Sequence, residues 1–112
     1  FWLEGDIAIS AMEQLAFVKS LYLEELPFDK SVQKQVKNMM FVDSVPGRSL
    51  YAKTGWAARI AHQIGWYTGF VKAADNTWIF AMNIDIIKED DSRFRTLITR
   101  RILSQSRIYP EK

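Results

Sequence analysis

Residues 49–86 read SLYAKTGWAARIAHQIGWYTGFVKAADNTWIFAMNIDI, and they decide the fold. The run SLYAKT alternates moderately between apolar and polar side chains. IGWYTGFVK and TWIFAMNIDI are rich in aromatic and β-branched residues, which suit a pleated, half-buried surface. Ala74-Asp75-Asn76 separates the last two runs and reads as a hairpin turn, so those strands are antiparallel neighbours. A meander of three antiparallel strands normally keeps one face solvated and buries the other under helices. The fold class is therefore α+β, with helices packed on an antiparallel sheet.

The helices lie on either side of this stretch. Ser10-Ala-Met-Glu13 is a capping box, because the serine oxygen accepts from the Glu13 N–H while Glu13 reaches back. Met12, Leu15, Val18, Leu21 and Tyr22 follow at helical spacing. Leu26 precedes Pro27, which disfavours helical backbone and places the helix end near there. A second helix starts after Asp29 as N-cap and carries Val32, Val36, Met39 and Met40 on one face. Val45-Pro46-Gly47 is a turn. After the sheet, Asp90 and Asp91 sit where acids favour a helix start. Phe94, Leu97, Ile98 and Ile102 form an apolar stripe, and Arg100 and Arg101 fall towards the helix end, matching its dipole. The expected order is helix, helix, three antiparallel strands, helix.

Bulk composition narrows the function classes. A chain of 112 residues suits one domain. At 48% hydrophobic and 13% aromatic it has the material for a packed core. Fifteen basic residues against 13 acidic give a net charge of +2, too balanced for a nucleic-acid binder. With no cysteine there is neither a disulfide framework nor a thiolate metal site. The single histidine, His62, excludes a histidine cluster, and no metal site is expected. No stretch approaches the roughly twenty apolar residues that span a bilayer. The opening FWLEG lacks a methionine and any signal peptide. The expectation is that residues 1–112 are the C-terminal segment of a larger domain whose upstream part is missing.

Lys53-Thr54-Gly55 is the most suggestive group of polar residues. An ammonium, a hydroxyl and a bare backbone side by side suit an anion grip. Adjacent residues point to opposite faces of a regular strand, so Lys53 and Thr54 share one anion only where the strand ends or bulges. Gly55 would supply that freedom and admit a second backbone. The plainer reading is a solvated lysine, a β-favouring threonine and a turn glycine, and the triplet is too short to decide.

K-T-G is also a signature of the penicillin-recognising serine enzymes. Beyond it, the chain resembles the C-terminal portion of the class D β-lactamases, the oxacillinases. The matching stretches run end to end: FWLEG at 1–5, IS and EQ within 9–14, LPF at 26–28, VKNMM at 36–40, KTGW at 53–56, IGWYTGFVK at 64–72 and FAMNIDI at 80–86. The fold this implies is the C-terminal part of the serine β-lactamase/penicillin-binding-protein-like fold. The activity it implies is hydrolysis of β-lactam antibiotics through a seryl acyl-enzyme, with the antibiotic-resistance role and periplasmic location of that family.

By the same resemblance, Lys53 and Thr54 bind the substrate carboxylate beside Gly55, and Lys53 shapes the field at the reacting serine. The backbone N–H of Trp56 is one donor of the oxyanion hole. Arg95 corresponds to the arginine that clamps the carboxylate with its planar fork. Arg93 competes for that place, and only the FRTLI register selects Arg95. A cation near a helix start is mildly unfavourable, which leans towards function. Composition alone makes Trp2 a core indole; the resemblance instead has its N–H donate to a carbamylated lysine. That CO2-derived carbamate on an upstream lysine is the cofactor expected. Leu3 would wall the same pocket, and Glu4 is read as structural. Arg59, in the loop after Gly55, either touches substrate or pairs with a neighbouring acid.

Ser31-Val-Gln-Lys34 fits the S-x-x-K nucleophile motif, but it opens a charged helix only some twenty residues before Lys53. In the family that motif is well upstream on a buried helix, so chance is the better account. No S-x-V or Y-G-N occurs, and the nucleophile is expected outside these residues, leaving this segment inert by itself. The partners expected are a β-lactam and the N-terminal part of the same protein, with a homodimer left open. Neither nucleic acid nor membrane is expected. Two other classes stand beside this reading: a β-lactam sensor domain of a membrane receptor, acylated without turnover, and a non-enzymatic binding domain that keeps the fold.

Overall fold

The protein is described by a computed structural model covering residues 10–57 and 63–110. Helix α1 spans Ala11–Tyr22 and α2 spans Lys30–Met39. Strands β1 (Phe41–Val45), β2 (Arg48–Ala57), β3 (Ile64–Ala73) and β4 (Thr77–Asp85) follow, then a 3-10 turn at Glu89–Arg93 and helix α3 at Phe94–Gln105. The described strands form one antiparallel sheet in the order β1-β2-β3-β4. The α+β class stands, but the expected three strands become four. Phe41–Val45, with Asp43 and Ser44 in its middle, has little strand character of its own. It forms because the Pro46-Gly47 turn folds it onto β2, pairing Val45 with Arg48 and Phe41 with Tyr51.

The capping box forms in both directions, with Glu13 N to Ser10 Oγ and Ser10 N to Glu13 Oε1 both at 3.1 Å. Asp29 takes the N-cap position of α2, but its carboxylate caps nothing. Gln33 does the fastening there. Its buried amide donates to the Leu26 and Phe28 carbonyls and accepts from Leu26 N–H, pinning the Leu26–Phe28 turn onto α2.

The sheet carries a core on each face. On one side Val18, Leu21, Met40 and Phe70 cluster under α1, with Tyr22, Tyr51 and Ile79 against them. Tyr51 stacks on Phe70 at 4.7 Å and 16°. On the other side Leu50, Val71, Leu103 and Tyr109 cluster under α3. The segment after α3 is strapped down by Arg48, whose guanidinium donates to the Arg107 and Ile108 carbonyls and lies over the Trp78 ring.

The apolar stripes read from the sequence do not face the sheet as expected. In α3, Phe94, Leu97, Ile98 and Ile102 are exposed, while Thr99 and Leu103 are buried against it. In α2, Val32, Val36 and Met39 are exposed and Gln33 is buried. In α1, Val18 and Leu21 pack inwards but Met12 is exposed. Among the described residues these apolar side chains of α2 and α3 are left uncovered.

Candidate active site

β2 runs straight through Lys53-Thr54-Gly55. Its register with β3 is unbroken from Arg48↔Ala73 to Ala57↔Ile64, with no bulge or ending at Gly55. The expectation that the strand stops or bulges there is therefore corrected. Lys53 and Gly55 face the α1 side, while Thr54 faces α3.

The glycine has another cause. Across the pair Gly55↔Trp66, the indole of Trp66 occupies the space where a Gly55 side chain would stand. A Cβ at Gly55 would sit 1.9 Å from Trp66 Cε2 and 2.0 Å from Cζ2. Only a residue without a side chain fits under that ring, an arrangement in which an aromatic covers a strand glycine from the neighbouring strand. Sequence reading missed Trp66; the signal was the antiparallel register, which sets Gly65-Trp66 across from Gly55-Trp56.

Pairing with β1 stops at Tyr51, so no described strand covers the second half of β2 on that side. The backbone orientation along this edge is fixed by one contact, Ala52 N–H to the Met40 carbonyl at 2.9 Å. Alternation along a strand then points the N–H and C=O of Thr54 and Trp56 towards the same edge. Lys53 Nζ folds round to it, donating to the Thr54 carbonyl at 2.7 Å. An ammonium and the Trp56 N–H thus converge on one open strand edge. Beside them a groove of about 600 Å³ is lined by Phe17, Leu21, Val36, Met40, Lys53 and Trp66 among others.

Arg95 approaches from the opposite face. The 3-10 turn is held by Asp91, whose carboxylate accepts from Ile87 and Lys88 N–H. α3 then begins at Phe94 and aims Arg95 at β2, where Nη1 donates to the Gly55 carbonyl at 2.8 Å. Nε donates to the Ser92 carbonyl at 2.8 Å. Its methylene stem crosses Gly65, where an added Cβ would lie 2.9 Å from Arg95 Cδ. Arg93 does something else. It is exposed, 3.5 Å from Asp90, and its guanidinium lies over the Phe94 ring. Of the two arginines, Arg95 is the one that reaches the strand.

The arrangement brings Lys53, Gly55, the Trp56 backbone and Arg95 to one strand end, with Thr54 on the Arg95 side. Such a cluster suits an anionic ligand and a carbonyl oxygen gaining negative charge. Trp2, Leu3, Glu4, Arg59 and His62 lie outside the described residues. Ser31 and Lys34 are both exposed on α2, and neither borders the groove beside Lys53.

Comparison with known proteins identifies the family. The penicillin binding protein transpeptidase domain family matches residues 1–104. The chain is 41% identical over 110 residues to the β-lactamase OXA-48 of Klebsiella pneumoniae, covering 98% of this chain and 42% of that protein. It is 41% identical over 111 residues to the β-lactamase OXA-2 of Salmonella typhimurium, covering 98% and 39%. Among solved structures, FUS-1 (OXA-85), a class D β-lactamase from Fusobacterium nucleatum subsp. polymorphum, superposes with a TM-score of 0.88 at 37% identity. That match covers 96% of this chain and 45% of the other. The chain thus spans about two fifths of the length of these curated relatives. Sequence match and superposition agree on one assignment: the chain belongs to the penicillin-binding-protein transpeptidase domain family, and its relatives there are class D β-lactamases.

Proposed function

We propose that this chain is the C-terminal segment of a class D serine β-lactamase, which opens the β-lactam amide through a seryl acyl-enzyme. The observation that carries the reading is the convergence of the Lys53 ammonium and the Trp56 N–H on the uncovered edge of β2, with Arg95 behind them. In this reading the Trp56 N–H stabilises the oxyanion of the tetrahedral intermediate, since a donor fixed before the reaction needs no reorganisation as charge develops. Thr54 and Arg95 anchor the substrate carboxylate, and Lys53 sets the field at the attacking serine. That serine is supplied from outside these 112 residues.

The exposed apolar faces of α2 and α3 and the groove beside Lys53 support a further part of the proposal. They seat the rest of the same domain, which brings the nucleophile to the open edge. The carbamate that the family resemblance implies would stand on a lysine of that remainder, with Trp2 as its donor, and would serve as proton acceptor. Location in the periplasm and a part in antibiotic resistance are proposed on the resemblance alone.

The test is hydrolysis of a chromogenic cephalosporin by the full-length protein and by residues 1–112 alone. Turnover is expected from the first and none from the second. Hydrolysis by the short chain would overturn the assignment of the nucleophile. A seryl adduct of the full-length protein that persists for hours in mass spectrometry would replace the hydrolase reading with the sensor reading.

A further inference from the structure

The peptide joining Gly55 to Trp56 is gripped at one end of its dipole and presented at the other. Its oxygen accepts from Arg95 Nη1 at 2.8 Å. Its N–H, trans to that oxygen, points at the uncovered edge of β2. Arg95 is held in this pose by Ser92 at Nε and by the passage of its stem over Gly65. On the opposite face the Trp66 indole presses on the Gly55 Cα, so the peptide has little room to rotate.

A cation hydrogen-bonded to an amide oxygen draws electron density out of the amide nitrogen. Linked hydrogen bonds polarise one another in this way, by about 10–30% per bond. We propose that Arg95 is a positioning residue for the oxyanion donor: its guanidinium, fixed on the Gly55 carbonyl, orients and polarises the Gly55–Trp56 peptide. The Trp56 N–H is thereby a stronger donor to the developing oxyanion, apart from any contact between Arg95 and the substrate. The two duties coexist. A guanidinium has five N–H groups; Ser92 and Gly55 take one each, which leaves three for a carboxylate. The inference rests on the acyl-transfer reading above.

Removing one oxyanion donor costs about 10²–10³ in kcat. Weakening such a donor by 10–30% should therefore cost roughly two- to eightfold. The experiment compares Arg95→Gln and Arg95→Lys in the full-length protein, using a carboxylate-bearing β-lactam and its neutral ester. Carboxylate anchoring alone moves KM for the acid and leaves the ester untouched. The polarising role also lowers kcat on the ester by that two- to eightfold, and Arg95→Lys, which keeps a charged donor, recovers part of it.

A second readout needs no turnover. Pairing 13C-carbonyl glycine with 15N-tryptophan selects Gly-Trp peptides, of which these 112 residues hold Gly55–Trp56 and Gly65–Trp66, and the cross-peak that Trp56→Phe removes is that of Gly55–Trp56. The Gly55 carbonyl and Trp56 amide resonances should move upfield in Arg95→Gln and return towards their original positions in Arg95→Lys. Unchanged resonances, or wild-type kcat on the ester, would overturn the proposal. If the unmodified protein hydrolyses nothing, the hydrolase reading fails separately, and the resonances alone decide whether Arg95 acts on this peptide. If Arg95→Gln does not fold, Arg95→Lys and the ester carry the comparison.

Discussion

A methyl group added at Gly55 tests the packing of the candidate site. In Gly55→Ala the new Cβ stands 1.9 Å from Trp66 Cε2, where ordinary contact needs about 3.4 Å, so the indole must retreat by about 1.5 Å. Trp66 is half-buried and borders the open groove, so the ring yields rather than the backbone. Overpacking of this kind costs about 1–3 kcal/mol. The alanine recovers about 0.5–1 kcal/mol of unfolded-state entropy, for a net loss of up to about 2.5 kcal/mol. Trp66→Ala alone loses roughly 2 kcal/mol, less than the 3–5 of a fully buried aromatic. In the double variant the methyl enters the space the ring has left. Gly55→Ala then costs nothing or stabilises slightly, and the coupling equals the overpacking cost, about 1–3 kcal/mol. The assay is urea denaturation of the full-length protein followed by far-ultraviolet circular dichroism, with all four corners of the cycle measured. If Gly55→Ala cost the same in both backgrounds within about 0.5 kcal/mol, the indole would not be what forbids a side chain there.

Other perturbations reach the rest of the fold. Gln33→Ala removes three hydrogen bonds from the Leu26–Phe28 turn and should lower stability by about 2–3 kcal/mol in the same denaturation assay. The hydrogen bond from Lys37, 2.9 Å from Glu24, holds that carboxyl below its ordinary pKa of 4.5. The stability it adds is complete above pH 4.5 and is lost as the pH falls through the lower folded value, so wild type and Glu24→Gln should converge in acid-unfolding curves. Burial pushes the hydroxyls of Tyr67 and Tyr109 above their ordinary pKa of 10.0. The unfolded chain therefore releases its protons first, and stability falls as the pH rises past 10. Tyr109→Phe should flatten that alkaline loss, measured as melting temperature against pH.

Much of the fold was legible in the residues because it is set by local rules. The Ser10–Glu13 capping box formed as read, since its two hydrogen bonds join residues three apart. β3 and β4 were visible in their aromatic and β-branched runs, and the turn at residues 74–76 in its Asp-Asn pair. Most of what failed depends on how elements pair and pack. β1 exists only because β2 offers it an edge. The apolar stripe of α3 was periodic, but periodicity does not say which side meets the sheet, and Thr99 and Leu103 were the residues turned inwards. Gln33 gave no sign of its role, because a glutamine on a helix is ordinarily solvated.

The candidate site divides the same way. The chemistry on offer is written in the residues: an ammonium, a hydroxyl and a glycine on a strand, with an arginine forty residues after the glycine. How these groups are arranged follows from the packing of the sheet and its helices. Pairing with β3 carried β2 straight through Gly55 and separated Lys53 from Thr54, so the glycine serves the indole of Trp66 instead of ending the strand. Packing of α3 put Arg95, and not Arg93, on the Gly55 carbonyl. The reason is physical: backbone propensities act between near neighbours in sequence, whereas a site is a meeting of groups whose distances are fixed only once the sheet and its helices have packed.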